Sequence, residues 1–245
     1  MKILIHHHTL AFQNEEGIWI QSFIGSWVDE LANYTQNIGL LVYESKLKHS
    51  NLDYLIKNKN VKIESLGYNF GSKNRFSRYF NIKRKVKSIN FYSHLIVRGV
   101  TPRQSLVLKN SPIKKKYFLF VGCLNDAKKN KLFNYQNLQN YFISKYRIYE
   151  MKKLSKVASF ACNSPGSVAE LKNDLNINSV YVSTNTISEN YFLNYKIDNL
   201  NFNKLLFVGR VTNDKGIEEL IQAVLKLNQS HTDKYQLNIV GPIIK

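Results

Sequence analysis

Residues 205–220, LLFVGRVTNDKGIEEL, decide the fold. Residues 205–208 are an apolar run short enough for a strand, and Gly209 lets the backbone leave that strand sharply. Arg210 follows at once, Asp214 is a candidate N-cap, and Lys215 opens the next segment. There Ile217, Leu220, Ile221, Val224 and Leu227 recur at spacings of three and four, the apolar stripe of a helix. Gln236–Val240 is a second apolar strand. A strand, a helix and a strand in this order form a βαβ unit, which implies a parallel sheet.

Working back from this unit, the same alternation runs through the chain. Strand-like runs fall at residues 2–6, 38–43, 61–65, 94–98, 117–121, 159–162 and 180–183. Helical patterns fall between them, around 19–36, 50–58, 76–89, 103–109, 136–156 and 165–173. Runs such as FLFV and HLIV are apolar on both faces, as strands are when helices cover a sheet from both sides. This predicts an α/β protein. Residues 1–185 should form one complete, doubly wound Rossmann-like domain with a seven-stranded parallel sheet. The Asn-rich stretch 186–204 reads as a linker, and 205–245 as the start of a second Rossmann-like domain. A single βαβ unit cannot bury its own sheet. It must pack on the first domain, pair with another chain, or begin a domain that continues beyond Lys245.

Composition narrows the class. At 44% hydrophobic and 13% aromatic over 245 residues, the chain is globular rather than disordered. Cys123 and Cys162 are too few for a disulfide framework and lack metal-ligand spacing. His6, His7 and His8 follow the first strand; successive strand side chains face opposite ways, so a loop at the strand end is expected there and no metal site. MKILI is too short for a signal peptide, and no run approaches the roughly 20 apolar residues that cross a bilayer.

The net charge of +18 is concentrated in the middle of the chain, where residues 65–125 hold 13 basic and no acidic side chains. Lys73, Arg75, Arg78, Lys83, Arg84, Lys85 and Lys87 interleave there with Phe76, Tyr79, Phe80, Ile82, Val86 and Ile89. Spacings of three and four put the apolar set on one side of a helix. A basic amphipathic helix of this kind suits either an anionic membrane surface or a solvated face over the sheet. Nucleic acid is not expected, since no recognition module accompanies the charge.

The chemistry-bearing residues lie where α/β sheets bind ligands, at the carboxyl ends of strands. Arg210 and Lys215 beside the first amides of a helix form an anion site, with Gly209 providing the turn; the alternative is two surface cations near a capped turn. Arg98, at the carboxyl end of a strand-like run, and Gly17, a lone glycine in a turn, are further cleft candidates. No G-x-G-x-x-G occurs, which argues against a dehydrogenase.

FVGR…DKGIEELIQA followed by LNIVG resembles the opening of the second domain in family 4 glycosyltransferases, which have the GT-B fold. VSTNTISENYF is similar to that family's interdomain phrase, retaining Asn185 and Phe192 but carrying Thr184, Thr186 and Ser188 where Pro, Gly and Asp are usual. ACNSPGSVAELK resembles its late strand–turn–helix, with Ser164 as N-cap and Pro165 at the first helical position. MKILI…EEGIWIQSFIGSWVDELA is similar to its first strand, Gly-containing loop and helix, with Gly17 where a Gly pair is usual.

The resemblance implies a nucleotide-sugar donor whose diphosphate rests on Arg210 and Lys215. It also implies a glycan or lipid-linked glycan acceptor held by the first domain, retention at the anomeric carbon, and no metal or other cofactor. Such an enzyme would make surface polysaccharide or glycolipid in the cytoplasm, peripheral on the inner face of the membrane. Two departures stand out. FLFVGCLND lacks the His that often follows the fifth strand, and the E-x7-E motif would lie beyond residue 245. The chain is therefore expected to be truncated. A non-catalytic or inactive fragment and a nucleotide-sugar epimerase of GT-B shape are the alternatives.

Overall fold

The computed structural model describes residues 1–68, 75–99, 102–121, 135–183, 203–212, 215–230, 232 and 234–241. It divides the chain into two compact units, Met1–Ile187 and Ser188–Lys245. The expected linker lies almost wholly outside the described residues, as do Asp214 and Cys123.

In the first unit, seven strands run parallel: β1 (Lys2–Asn14), β3 (Asn37–Glu44), β5 (Val61–Tyr68), β6 (His94–Arg98), β7 (Lys115–Phe120), β8 (Ser159–Cys162) and β9 (Ser179–Tyr181). Their order across the sheet is β5-β3-β1-β6-β7-β8-β9. The seven sequence-predicted strands are all present. Two short strands join them, β2 (Gly17–Ile20) and β4 (Tyr54–Leu55), both antiparallel. The sheet is therefore mostly parallel rather than wholly so. Residues 50–58, predicted helical, instead form β4 and turns. Backbone N–H groups of Lys57 and Asn58 donate to the buried Asp29 carboxylate, so they are committed to a side chain rather than a helix.

Helices α1 (Ser22–Ala32), α2 (Arg75–Ser88), α3 (Pro102–Asn110), α4 (Tyr135–Leu154) and α5 (Pro165–Leu175) cover the two faces. Ile3, Ile5, Leu40 and Val42 pack with Ile24, Val28 and Ala32 of α1. Leu4, Leu41, Leu95 and Val97 pack on the other face with residues of α2, α3, α4 and α5. Alternation along each strand sends successive side chains into the two cores, so these strands are apolar throughout. Each fully buried aliphatic side chain contributes roughly 1.5–3 kcal/mol. Ser164 caps α5, its hydroxyl accepting from Ser167 N at 3.1 Å, with Pro165 at the first turn, as the sequence predicts.

The His run does not end a strand. β1 continues through His6–His8 to Asn14, with a register irregularity between His6 and Leu10. Up to His6 the strand pairs with both β3 and β6; after it, only β3 and the β2 hairpin follow. Ile82 and Val86 of α2, and Ile89 just after it, are buried as predicted, but Tyr79 and Phe80 are exposed. Their positions fall outside the arc that the sheet covers.

The second unit is the βαβ expected from the sequence: β10 (Lys204–Val208), α6 (Ile217–Ser230) and β11 (Gln236–Val240), with β10 and β11 parallel. Only Ile217 and Val224 of α6 are fully buried. Leu206 and Val208 on β10 are 66% and 71% exposed, and Val240 opposite Val208 is 55% exposed, so the described residues of this unit leave one face of the two-stranded sheet uncovered.

Candidate functional site

In the first unit the chain runs from β1 outward to β3 and β5, then crosses back to β6 and outward the other way. Strand order therefore reverses between β1 and β6. In open α/β sheets, ligands bind in the crevice outside the carboxyl ends of the strands at such a switch point. The irregularity in β1 begins where β6 ends, so His7 and His8 stand at the mouth of this crevice.

Arg98 closes β6. Its guanidinium lies 5.2 Å from the ring centroid of Phe23, in the first turn of α1. His7 meets the same ring edge-on at 5.8 Å and lies 4.2 Å from the ring of His8. Thr9 fixes this corner: its amide donates to His7 Nδ1 at 3.2 Å, and its hydroxyl donates to Gln21 Oε1 at 2.8 Å. Behind Arg98, Gly99 has φ +104°, and a Cβ there would come within 2.7 Å of Gln104 Nε2. That amide donates to the Arg98 carbonyl and ties α3 to the strand end. On the α3 side, the Arg103 guanidinium sits 5.5 Å from the Tyr43 ring on β3.

The electrostatics are one-sided. Burial pushes His6 down to about 4 and His7 down to about 2, with His8 and the arginines adding repulsion. His8 is lowered by burial, then by Arg98 and Arg103 together. Arg98 is lowered by burial, and its Nε is a buried nitrogen with no hydrogen-bond partner among the described residues. The two ion pairs among those residues, Lys85–Glu64 and Lys109–Glu150, involve neither Arg98 nor Arg103.

Gly17 stands elsewhere. It opens β2 with φ +134°, paired with Asn14, and a Cβ there would touch Leu55 at 3.1 Å. A β-hairpin thus separates the first strand from α1, where a simple loop was expected. Sequence reading found Arg98 but missed His7, His8 and Arg103, which only the strand order brings together. A Lys-lined depression of about 440 Å³, bordered by Lys114, Lys115, Lys116 and Lys156, lies at the opposite, amino ends of β7 and β8.

In the second unit, Gly209 ends β10 and donates its N–H to Val240 O at 3.0 Å. A Cβ on Gly241 (φ +155°) would fall 1.7 Å from Gly209 O, so the two strand ends meet backbone to backbone. Arg210 and Lys215 are exposed on either side of the turn. Lys215 N donates to Thr212 O at 3.0 Å, and Gly216, at φ +65°, leads into α6. Glu218 and Glu219 occupy the helix's first turn, so the cations share that end with two carboxylates.

Two exposed surfaces complete the picture. On α2, Tyr79, Phe80, Arg84 and Lys87 are exposed, while Lys85 pairs with Glu64 at 3.0 Å. On α4, which the sequence reading did not single out, Phe142, Tyr146 and Tyr149 are exposed at helical spacing among Lys145, Lys152 and Lys153. The acidic residue there, Glu150, turns inward to Lys109 at 2.8 Å. Among the described residues no helix is long and apolar enough to cross a membrane, and no three His, Cys, Asp or Glu side chains converge as metal ligands. No family model matches the chain, and no curated protein matches it.

Proposed function

We propose that the chain serves the transfer of a glycosyl group from a nucleotide-activated sugar to a hydroxyl acceptor, within a GT-B arrangement. The observation that carries the reading is the Gly209–Gly216 turn. It lies at the carboxyl end of a parallel strand, opens an amphipathic helix, and carries Arg210 and Lys215. In such a transfer, negative charge develops on the departing diphosphate, and fixed cations stabilise it as it forms. Arg210 and Lys215 take that role, and Gly209 keeps the strand end open to the phosphates. The switch-point crevice of the first unit, with Arg98, then faces the acceptor. The basic, aromatic surface of α2 suits an acceptor on an anionic membrane. Retention and independence of metal follow from the family resemblance.

The test is titration of the chain with uridine, guanosine and adenosine diphosphates, followed by incubation with labelled nucleotide sugars. Saturable diphosphate binding that disappears in Arg210→Ala and Lys215→Ala supports the reading. Binding untouched by both substitutions overturns it.

A further inference from the structure

We infer that the first unit carries a phosphoryl-binding site of its own at the β1–β6 switch point, with Arg98 and Arg103 as its anchoring cations. This goes beyond the diphosphate site above, which belongs to the other unit.

Three observations converge. First, Arg98 is half buried, stacked on Phe23, and its Nε has no acceptor among the described residues. A guanidinium that loses water without gaining an acceptor is costly, and a bound oxyanion supplies what is missing. Second, the crevice gathers positive charge without neutralising it. Arg98 ends β6 against Phe23 and Arg103 lies over Tyr43 of β3, the two strands that flank β1, and neither arginine forms an ion pair among the described residues. Asp53 Oδ1 accepts from Ser22 N at 2.8 Å and so caps the start of α1. Third, the position is the ligand-binding end of the sheet, where Phe23 in the first turn of α1 meets both Arg98 and His7.

The charge selects the ligand. One carboxylate would leave one guanidinium unmatched, whereas a phosphate monoester carries about two negative charges near neutral pH and several acceptor oxygens. Burial holds His7 and His8 below the usual histidine range, so the two arginines are the fixed cations of the site and the histidines its hydrogen-bonding walls. Phe23, 47% exposed, offers an apolar shelf beside the phosphate for the group that bears it.

The experiment follows the Arg98 side chain directly, in the full chain with arginine Nε labelled with nitrogen-15. Inorganic phosphate, glycerol 3-phosphate and vesicles containing phosphatidic acid are added in separate titrations, against sodium chloride of matched ionic strength. The Arg98 Nε–H resonance, assigned by its loss in Arg98→Lys or by through-bond correlation, is expected to shift and saturate. Arg103→Gln should weaken the interaction by about tenfold, as loss of one charge-assisted contact does. A combined Arg210→Ala, Lys215→Ala variant should leave it unchanged, which separates this site from the proposed donor site. Saturation by the soluble phosphates assigns a small phosphorylated ligand. A response to vesicles alone assigns a lipid headgroup. No saturable shift in any arm, a shift reproduced by chloride, or saturation indifferent to Arg103→Gln overturns the inference.

Discussion

His6 Nδ1 lies 2.6 Å from the carbonyl oxygen of Leu41 on the neighbouring strand. A carbonyl only accepts, so Nδ1 carries the proton and buried His6 is the neutral Nδ1–H tautomer. His6 is held down to about 4 and His7 to about 2, chiefly by burial. Both values lie below that of an exposed histidine, so the unfolded chain binds more protons as pH falls. Stability is then fully present above about pH 6.5 and declines as the pH drops toward the folded values. At pH 5 the loss is about 2 kcal/mol for each residue. Chemical denaturation at pH 7 and pH 5 measures it, and equal stability at the two values would contradict the buried neutral pair.

Asp29 is the second point where stability is exposed to test. Its buried carboxylate accepts from Tyr54 Oη at 2.9 Å, Lys57 N at 2.9 Å and Asn58 N at 3.1 Å, joining α1 to the segment around β4. Asp29→Ala orphans all three donors and should cost about 3 kcal/mol. Gly25→Ala should loosen the same joint, because a Cβ there falls 2.3 Å from Tyr54 Cδ1. Urea midpoints report both changes; wild-type midpoints would show that the joint contributes nothing.

Association with anionic vesicles should depend on both exposed helices. Lys83, Arg84 and Lys87 contribute about 1 kcal/mol each near such a surface, so replacing all three with Gln should weaken binding roughly a hundredfold at low salt. Replacing Phe142, Tyr146 and Tyr149 with Ser should instead remove the part that survives high salt, because apolar insertion is not screened. Co-sedimentation at two ionic strengths separates the two effects. Binding insensitive to salt and to both triple variants would rule the surface out.

Nucleoside diphosphate binding by this chain should be weak. Two charge-assisted contacts, from Arg210 and Lys215, supply about 3–6 kcal/mol, which corresponds to a dissociation constant between roughly 40 μM and 6 mM. Calorimetry showing binding much tighter than about 10 μM would place donor contacts on residues besides these two.

Much of the first unit's fold was legible because its strands are apolar on both faces, and runs such as 117–121 have few other readings. The segment around β4 was not, because its local pattern is helical while Asp29, more than twenty positions earlier, claims its amides. The continuation of β1 was hidden by three histidines, residues that seldom fill a strand core, yet His6 and His7 are 2% and 4% exposed. Arg98 could be named from its place at a strand end. Its association with His7 and Arg103 could not, since it depends on β1 and β6 being neighbours although some ninety residues separate them in sequence.

The bare face of the β10–β11 pair has a consequence for how the molecule comes apart. With Leu206, Val208 and Val240 exposed, the described residues of the second unit bury one face of their sheet and not the other, unlike the two-sided core of the first. Unfolding should therefore proceed in two stages rather than as one cooperative transition. Amides of β10 and β11 will exchange with solvent through frequent local opening, while those of β1, β3 and β6 exchange only when the whole first unit unfolds. A thermal scan fitted as a single transition will return a calorimetric enthalpy that disagrees with its van't Hoff value.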